Sequence, residues 1–143
     1  MSEPQSRAEW HRLAAELRYS TGHFIHGEHV PARAGRFTVV NPATTEPLCE
    51  VAAGDAADID AAVASGRRAF KDGTWRRMAP RDRLDVLNRL AALIERHTAR
   101  FTLLDSLCMG KPVRDMLAVD VPQSALTFRY FAELSDKVEG TVT

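Results

Sequence analysis

Cysteine is scarce in this sequence: among 143 residues only Cys49 and Cys108 carry thiols. Two thiols so far apart cannot build the disulfide framework of a small secreted domain, so we expect both to be reduced. An excess of one charge is also missing, because 19 lysines and arginines are balanced by 19 aspartates and glutamates. Since no basic stripe is present, a nucleic-acid partner is not expected.

Long hydrophobic runs are missing as well. No stretch approaches the roughly 18 apolar residues that a membrane-spanning helix needs. The opening MSEPQSRAEWHRLAAELR lacks the apolar segment of a signal peptide. We therefore expect a cytoplasmic protein without a membrane partner. Apolar residues make up 45% of the chain, which is enough to form a buried core.

Hydrophobic periodicity divides the chain into an amino-terminal helix, a β-rich stretch and a helical remainder. Ser6 and Glu9 fit a capping box at the start of a helix that we expect to end near Gly22. The runs FIH, RFTVV and PLCEVA then predict short strands that pair in hairpins, with a tight turn at Gly27. The expected fold class is α+β: a short β-meander followed by about four helices.

The predicted helices after the strands have recognisable ends. Apolar spacing and capping residues predict helices that start after Asp55, near Pro80, at Thr98 and after Pro122. The apolar stripes of the first two comprise Ile59, Val63 and Phe70, and Leu84, Leu87, Ala91 and Ile94.

The segment LLDSLCMGKPVRD combines a thiol with a Gly-Lys pair and invites two functional interpretations. A phosphate-binding loop would need an earlier glycine and a hydroxyl residue where Pro112 stands. A nucleophilic Cys108 would need a base or a helix amino terminus, and it lies near a helix carboxyl end instead. We therefore predict that Gly110 ends the helix in the left-handed conformation and that Lys111 interacts with the helix dipole.

Other polar clusters favour structural roles. His23, His26 and His29 are evenly spaced, but an i, i+3 step in a strand places side chains on opposite faces, which argues against a zinc site. The remaining candidates are two aspartate pairs that could act as acid and base, although helix starts and solvated faces use such residues more often; they are Asp58 with Asp60, and Asp115 with Asp120. No catalytic site is predicted from the residues alone.

Several segments in order resemble the amino-terminal region of the NAD(P)-dependent aldehyde dehydrogenases. They are FIHGEHV, FTVVNPATTEPLCEVAAGDAADIDAAV, PRDRLDVLNRLAALIERH, GKP and FRYFAELSDKVEG. Within the family, the opening helix and FKDGTW resemble the gamma-glutamyl-gamma-aminobutyraldehyde dehydrogenases. By this resemblance residues 23–143 are the incomplete amino-terminal segment of a dehydrogenase domain, in the outer part of its α/β nucleotide-binding fold, and residues 1–22 are a helical extension.

The resemblance implies that an aldehyde is oxidised to a carboxylic acid through a cysteine thioester, with NAD or NADP as hydride acceptor. The family's catalytic cysteine, general base and nucleotide-binding loops lie beyond Thr143, and neither Cys49 nor Cys108 matches the catalytic motif. The expected catalytic and cofactor-binding residues in this chain are therefore none, and we expect the fragment alone to be inactive. When full length, the family member is expected to form a homo-oligomer.

The resemblance also implies a structural monovalent cation, with Val40 and Asp120 as its ligands. From the residues alone, Asp120 is expected to cap the helix starting at Pro122, a role that does not exclude cation binding. A non-enzymatic module that binds a complete dehydrogenase subunit is the alternative function.

Overall fold

The computed structural model describes residues 6–137 and 139–140 and shows a mixed α and β chain. The α+β prediction is confirmed. The strands are β1 (His23–Ile25), β2 (Glu28–Val30), β3 (Arg36–Val40) and β4 (Pro47–Ala52). The helices are α1 (Arg7–Glu16), α2 (Ala56–Asp72), α3 (Thr74–Arg77), α4 (Pro80–Arg96), α5 (Thr98–Met109), α6 (Val113–Asp115) and α7 (Val121–Glu133). None of the helices in these residues is long and apolar enough to cross a membrane.

The four strands form two separate antiparallel hairpins, β1–β2 and β3–β4, which confirms the predicted hairpins; these strands make two small sheets and not one continuous meander. His26 and Gly27 connect the first pair with φ values of 58° and 81°, as a two-residue type I′ turn requires. The predicted tight turn at Gly27 is therefore confirmed. In the second hairpin Val39 faces Cys49, and the register shifts between Val39 and Val40.

Local capping sets the ends of α1 and α2. The Glu9 backbone N–H donates to the Ser6 hydroxyl at 3.2 Å, so the predicted capping box is present. Helix α1 ends at Glu16, earlier than the expected end near Gly22. A second capping box joins Asp55 and Asp58 at the start of α2.

The chain after α5 is more helical than the sequence pattern predicted. A π-helical turn (Met116–Asp120) joins α6 to α7. Asp120 has helical dihedral angles and makes no side-chain capping hydrogen bond, so the prediction that it caps α7 is wrong. The reason is that the chain is already helical when it reaches Asp120, whereas a cap residue needs an extended backbone.

The chain forms two compact units, which we describe separately. Among the described residues, the helical unit comprises 6–15, 78–106, 111–137, 139 and 140, and the hairpin unit comprises 16–77 and 107–110. In the helical unit α4 packs against α7, and the buried side chains at their contact are Ala91, Ile94, Val121 and Ala125. Ala91 and Ala125 are at most 1% exposed, and their small size lets the helices approach closely.

Candidate functional site

The first expected cation ligand, Asp120, ends the π-helical turn and is already paired. Its Oδ2 lies 2.5 Å from Nζ of Lys111, and both side chains are little more than a third exposed. We had predicted that Lys111 interacts with the dipole of the preceding helix. The structure shows that its ammonium also contacts the Asp120 carboxylate. The Ser124 hydroxyl donates to the Asp120 carbonyl at 2.8 Å. This hydrogen bond links the end of the π-helical turn to the first turn of α7.

The second expected ligand, Val40, is the last residue of β3 and belongs to the hairpin unit. It faces Pro47 across the hairpin, next to the register shift. Proline has no backbone N–H, so Pro47 cannot donate a ladder hydrogen bond to the Val40 carbonyl.

The three evenly spaced histidines have different neighbours. His26 lies in the hairpin turn, with Nδ1 3.4 Å from the Ser65 hydroxyl. The His29 ring packs edge-on against Phe24, with 5.1 Å between the ring centroids. Throughout residues 6–137, 139 and 140, no group of three or more His, Cys, Asp or Glu side chains is arranged to hold a metal ion.

Asp58 is the most closely surrounded carboxylate of the hairpin unit, and its side chain is only 6% exposed. Oδ2 lies 3.5 Å from Nε2 of His23, and Oδ1 lies 3.5 Å from Nε of Arg33. The same carboxylate accepts a hydrogen bond from the Asp55 backbone N–H at 3.2 Å. The prediction of a helix-start role was therefore correct but incomplete, because the carboxylate also contacts a histidine of β1 and an arginine of the segment after β2.

The candidate acid and base pairs do not form pairs of carboxylates with a shared environment. Asp115 accepts a hydrogen bond from the guanidinium of Arg114 at 3.1 Å, and Asp120 is paired with Lys111. Asp60 is exposed, in contrast to the buried Asp58. These environments favour the structural interpretation of all four residues.

The Gly-Lys-Pro turn follows α5 as predicted. Gly110 has φ of 76°, the left-handed conformation. A Cβ placed on Gly110 would lie 3.1 Å from Cγ of Pro42, so this helix end meets the loop of the β3–β4 hairpin. Glycine is therefore required here for two reasons: the positive φ, which the sequence pattern predicted, and the close contact with Pro42, which it did not.

Tyr19 in the hairpin unit has a raised pKa. Burial raises the pKa of Tyr19 above its usual value, and the neighbouring thiols of Cys108 and Cys49 raise that pKa further. Cys49 is half-buried on β4, whereas Cys108 is exposed near the end of α5. The sequence pattern did not link Tyr19 to Cys49 or Cys108, since these residues are separated by tens of positions.

The helical unit carries an open groove of about 580 Å³ beside the π-helical turn. Its polar part is an ion pair in which Arg129 donates to the Glu95 carboxylate at 2.5 Å. The lining residues are Glu95, Thr98, Leu117, Ala118, Val119, Val121, Pro122, Gln123, Leu126 and Arg129. These described lining residues include no thiol and no imidazole, so the groove can bind but holds no strong nucleophile.

Comparison with protein families gives one match, to the aldehyde dehydrogenase family, over residues 29–143. Among curated proteins, the chain is 45% identical over 139 residues to the aminoacetaldehyde dehydrogenase of Pseudomonas aeruginosa. It is 40% identical over 136 residues to the NADP/NAD-dependent aldehyde dehydrogenase PuuC of Escherichia coli. These matches cover 96% and 94% of this chain but only 28% of each relative.

Solved structures give the same result. The gamma-glutamyl-gamma-aminobutyraldehyde dehydrogenase of Burkholderia cenocepacia matches 95% of this chain with a TM-score of 0.91 and 42% identity. An indole-3-acetaldehyde dehydrogenase in complex with NAD+ matches 98% of the chain with a TM-score of 0.93 and 37% identity. In both cases the match spans 28% of the solved chain.

Proposed function

The chain belongs to the aldehyde dehydrogenase family, and we propose that it forms the amino-terminal part of an NAD(P)-dependent aldehyde dehydrogenase. The observation that carries this proposal is the combination of a family match over residues 29–143 with a span of only 28% of the relatives' length. The reaction of the whole protein would then depend on residues outside this sequence.

The proposed reaction of the whole protein is oxidation of an aldehyde to a carboxylic acid through a cysteine thioester. NAD or NADP, when bound, accepts the hydride. The environments of the two thiols in this chain support a nucleophile elsewhere: Cys49 is half-buried within a strand, and Cys108 lies near a helix carboxyl end. We therefore propose that these 143 residues alone neither oxidise aldehyde nor bind the cofactor tightly.

The exposed apolar face of α2 supports a role in packing against the remainder of a dehydrogenase. Ile59, Val63 and Phe70 are 60%, 49% and 70% exposed, although they form the apolar stripe of an amphipathic helix. Apolar stripes of this kind are normally buried, and a contiguous exposed patch marks an interaction surface. We propose that residues outside this sequence cover the stripe and that the complete protein is a cytoplasmic homo-oligomer.

A monovalent cation held by the Val40 carbonyl and the Asp120 carboxylate remains a proposal. Two features of the residues bear on the fit. The Val40 carbonyl faces a proline that cannot donate to it. The Asp120 carboxylate, however, already has the Lys111 ammonium at 2.5 Å, which supplies the single positive charge that a sodium or potassium ion would supply. Cation binding at Asp120 therefore requires Lys111 to withdraw.

The substrate class can be proposed from the relatives. Those named for aminoacetaldehyde and for gamma-glutamyl-gamma-aminobutyraldehyde act on aliphatic aldehydes that carry a nitrogen substituent. We propose the same class for the complete protein, and these two aldehydes are the first to test.

The decisive experiment compares two purified proteins: the product of the whole reading frame that encodes this chain, and the same protein stopped at Thr143. NADH or NADPH formation is followed with the two nitrogen-bearing aldehydes. We expect turnover only with the longer protein. Turnover by the 143-residue chain that disappears in the Cys49→Ala, Cys108→Ala double variant would show that the catalytic site lies here.

The same short protein tests the alternative, a module that folds alone and binds a dehydrogenase subunit. We expect it to associate and to bind a hydrophobic dye, because the α2 stripe is exposed. The matched control is Phe70→Lys, which should reduce dye binding. A monodisperse monomer that melts cooperatively and binds no dye would instead favour the binding module.

A further inference from the structure

The outer surface of α4 and the start of α5 form an open groove in the helical unit. Two adjoining depressions of about 430 Å³ and 360 Å³ share Leu93 and make one continuous surface, the α4–α5 groove. Its described lining residues include no aspartate or glutamate. The apolar residues of its floor are Leu90, Leu93 and Phe101, and the arginines of its rim are Arg89, Arg96 and Arg100.

Helix α4 carries more apolar surface than α7 covers. Ala91 and Ile94 are buried at the contact with α7. Leu90 and Leu93 come next to them in the helix but are 38% and 43% exposed, and Phe101 of α5 is 43% exposed. Apolar side chains of an amphipathic helix normally face a partner, and a continuous exposed apolar patch marks an interaction surface. A partner for the groove must therefore come from outside the described residues.

The charges on the rim indicate the chemistry of that partner. Arg89 and Arg96 are exposed, and within residues 6–137, 139 and 140 neither guanidinium is ion-paired or hydrogen-bonded. Glu95, the acid next to Arg96, is paired with Arg129 at 2.5 Å and does not line the groove. An apolar floor beside unpaired cations is complementary to an apolar stripe flanked by carboxylates.

The spacing of the two arginines indicates the shape of the partner. Arg89 and Arg96 are seven positions apart on α4. In a helix this separation is two turns, or about 10.5 Å. Carboxylates at positions i and i+7 of a second helix have the same spacing. A helix that lies along α4 can therefore meet both arginines while its apolar face covers Leu93.

We propose that the α4–α5 groove binds an acidic amphipathic helix from the remainder of the same polypeptide. The inference rests on the proposed function, in which these 143 residues are one part of a longer dehydrogenase. The chain spans only 28% of the length of its relatives, so most of such a protein lies outside this sequence and can supply the helix. The groove is a different surface from the α2 stripe, which belongs to the hairpin unit.

The test uses the product of the whole reading frame that encodes this chain. In the first arm, Arg89→Lys and Arg96→Lys place amines on the rim and keep its charge, and a carbodiimide joins each amine to a carboxylate in direct contact. We expect each lysine to link to a carboxylate in the remainder, the two being about seven positions apart. Arg81→Lys, in the first turn of α4 and outside the groove, is the matched control and should give no link to the remainder.

The second arm follows hydroxyl-radical oxidation of Leu90, Leu93 and Phe101 by mass spectrometry of peptides. Reversing the charge of the rim in the Arg89→Glu, Arg96→Glu double variant should make this oxidation several-fold faster than in the wild type. The double lysine variant should be oxidised as the wild type is. Circular dichroism shows whether the charge-reversed variant is folded; if it is unfolded, the links formed by the lysine variants decide.

Three results would overturn the proposal. Neither lysine links to the remainder; the links join two different chains in oligomers assembled from isotopically labelled and unlabelled subunits, which would make a second copy the occupant; or the folded charge-reversed variant is oxidised at the wild-type rate. Aldehyde turnover by the same wild-type protein tests the proposed function separately. Turnover without the expected links removes only the docking inference, whereas links without turnover remove the proposed activity and leave the docking in place.

Discussion

The Lys111 ammonium lies 2.5 Å from the Asp120 carboxylate. This ion pair links the middle of the Gly-Lys-Pro segment to the last residue of the π-helical turn. Because both side chains are more than a third exposed, water screens their attraction. We expect Lys111→Ala and Asp120→Asn each to lower the free energy of unfolding by roughly 0.5 to 1 kcal/mol. In a double-mutant cycle by urea denaturation the two effects should not add. Full additivity would show that the contact contributes nothing.

The buried carboxylate of Asp58 should contribute to the stability of the hairpin unit. Replacing it with alanine removes the carboxylate that accepts from the Asp55 backbone N–H and leaves His23 and Arg33 without their shared partner. We expect a loss of about 1 to 2 kcal/mol, because one of the two hydrogen bonds of the capping box and the contacts to His23 and Arg33 are lost. Asp60→Ala is the matched control, two residues away and exposed, and should change stability by less than about 0.5 kcal/mol. Equal losses in the two variants would contradict the importance of these contacts.

Gly110 should not tolerate a side chain. Its φ of 76° is unfavourable for other residues, and a Cβ would approach Pro42 at 3.1 Å. Gly110→Val should therefore destabilise the protein by roughly 1 to 2 kcal/mol in thermal or urea melts. Gly66→Ala, within α2 and with open space around the added methyl, should stabilise it by about 0.5 to 1 kcal/mol. The prediction requires that the unfolding free energy falls in Gly110→Val and rises in Gly66→Ala.

Thr45 is expected to be a strained position in the β3–β4 loop. It has φ of 62°, which is rare for a β-branched residue. Thr45→Gly should relieve the strain and raise the unfolding free energy by about 1 kcal/mol. Thr44→Gly removes the hydroxyl that accepts from the Glu46 backbone N–H at 3.3 Å, so it should have the opposite effect. Destabilisation by Thr45→Gly would mean that lost loop rigidity outweighs the strain.

Tyr19 should make the free energy of unfolding fall in alkaline solution. Its pKa is raised in the folded chain by burial and by the Cys108 and Cys49 thiols. The folded state therefore keeps the phenolic proton to higher pH than the unfolded state does. This contribution to stability is present below the unfolded pKa near 10 and is lost as pH rises through the higher folded value. Urea melts of wild type and Tyr19→Phe should diverge above about pH 9.5, with the wild type losing more stability.

Features that depend on nearby residues were predicted correctly. The Ser6–Glu9 box, the turn at Gly27, and the left-handed Gly110 that follows the helix ending at Met109 all agree with the structure. Each depends on the dihedral preferences and hydrogen-bonding groups of residues within about four positions. Family membership was also recognisable, because a series of such local motifs in a fixed order carries more information than any one of them.

Predictions failed where a distant segment decides the outcome. Asp120 looked like a helix cap, but the backbone was already helical and Lys111 was its partner. The division of the four strands into two separate sheets was not predicted either, although the hairpins were, since periodicity does not say which strands pair.

The sequence by itself determined where α1 and α2 begin and where the turns at Gly27 and Gly110 lie, since capping and backbone strain act over a few residues. Only the tertiary structure decided which of two similar stripes is buried: Ala91 and Ile94 of α4 pack against α7, whereas Ile59 and Phe70 of α2 remain exposed. It also placed Tyr19 where burial, Cys108 and Cys49 raise its pKa. Burial and electrostatic contact require a partner in space, and amphipathic spacing shows that a partner is needed without identifying it.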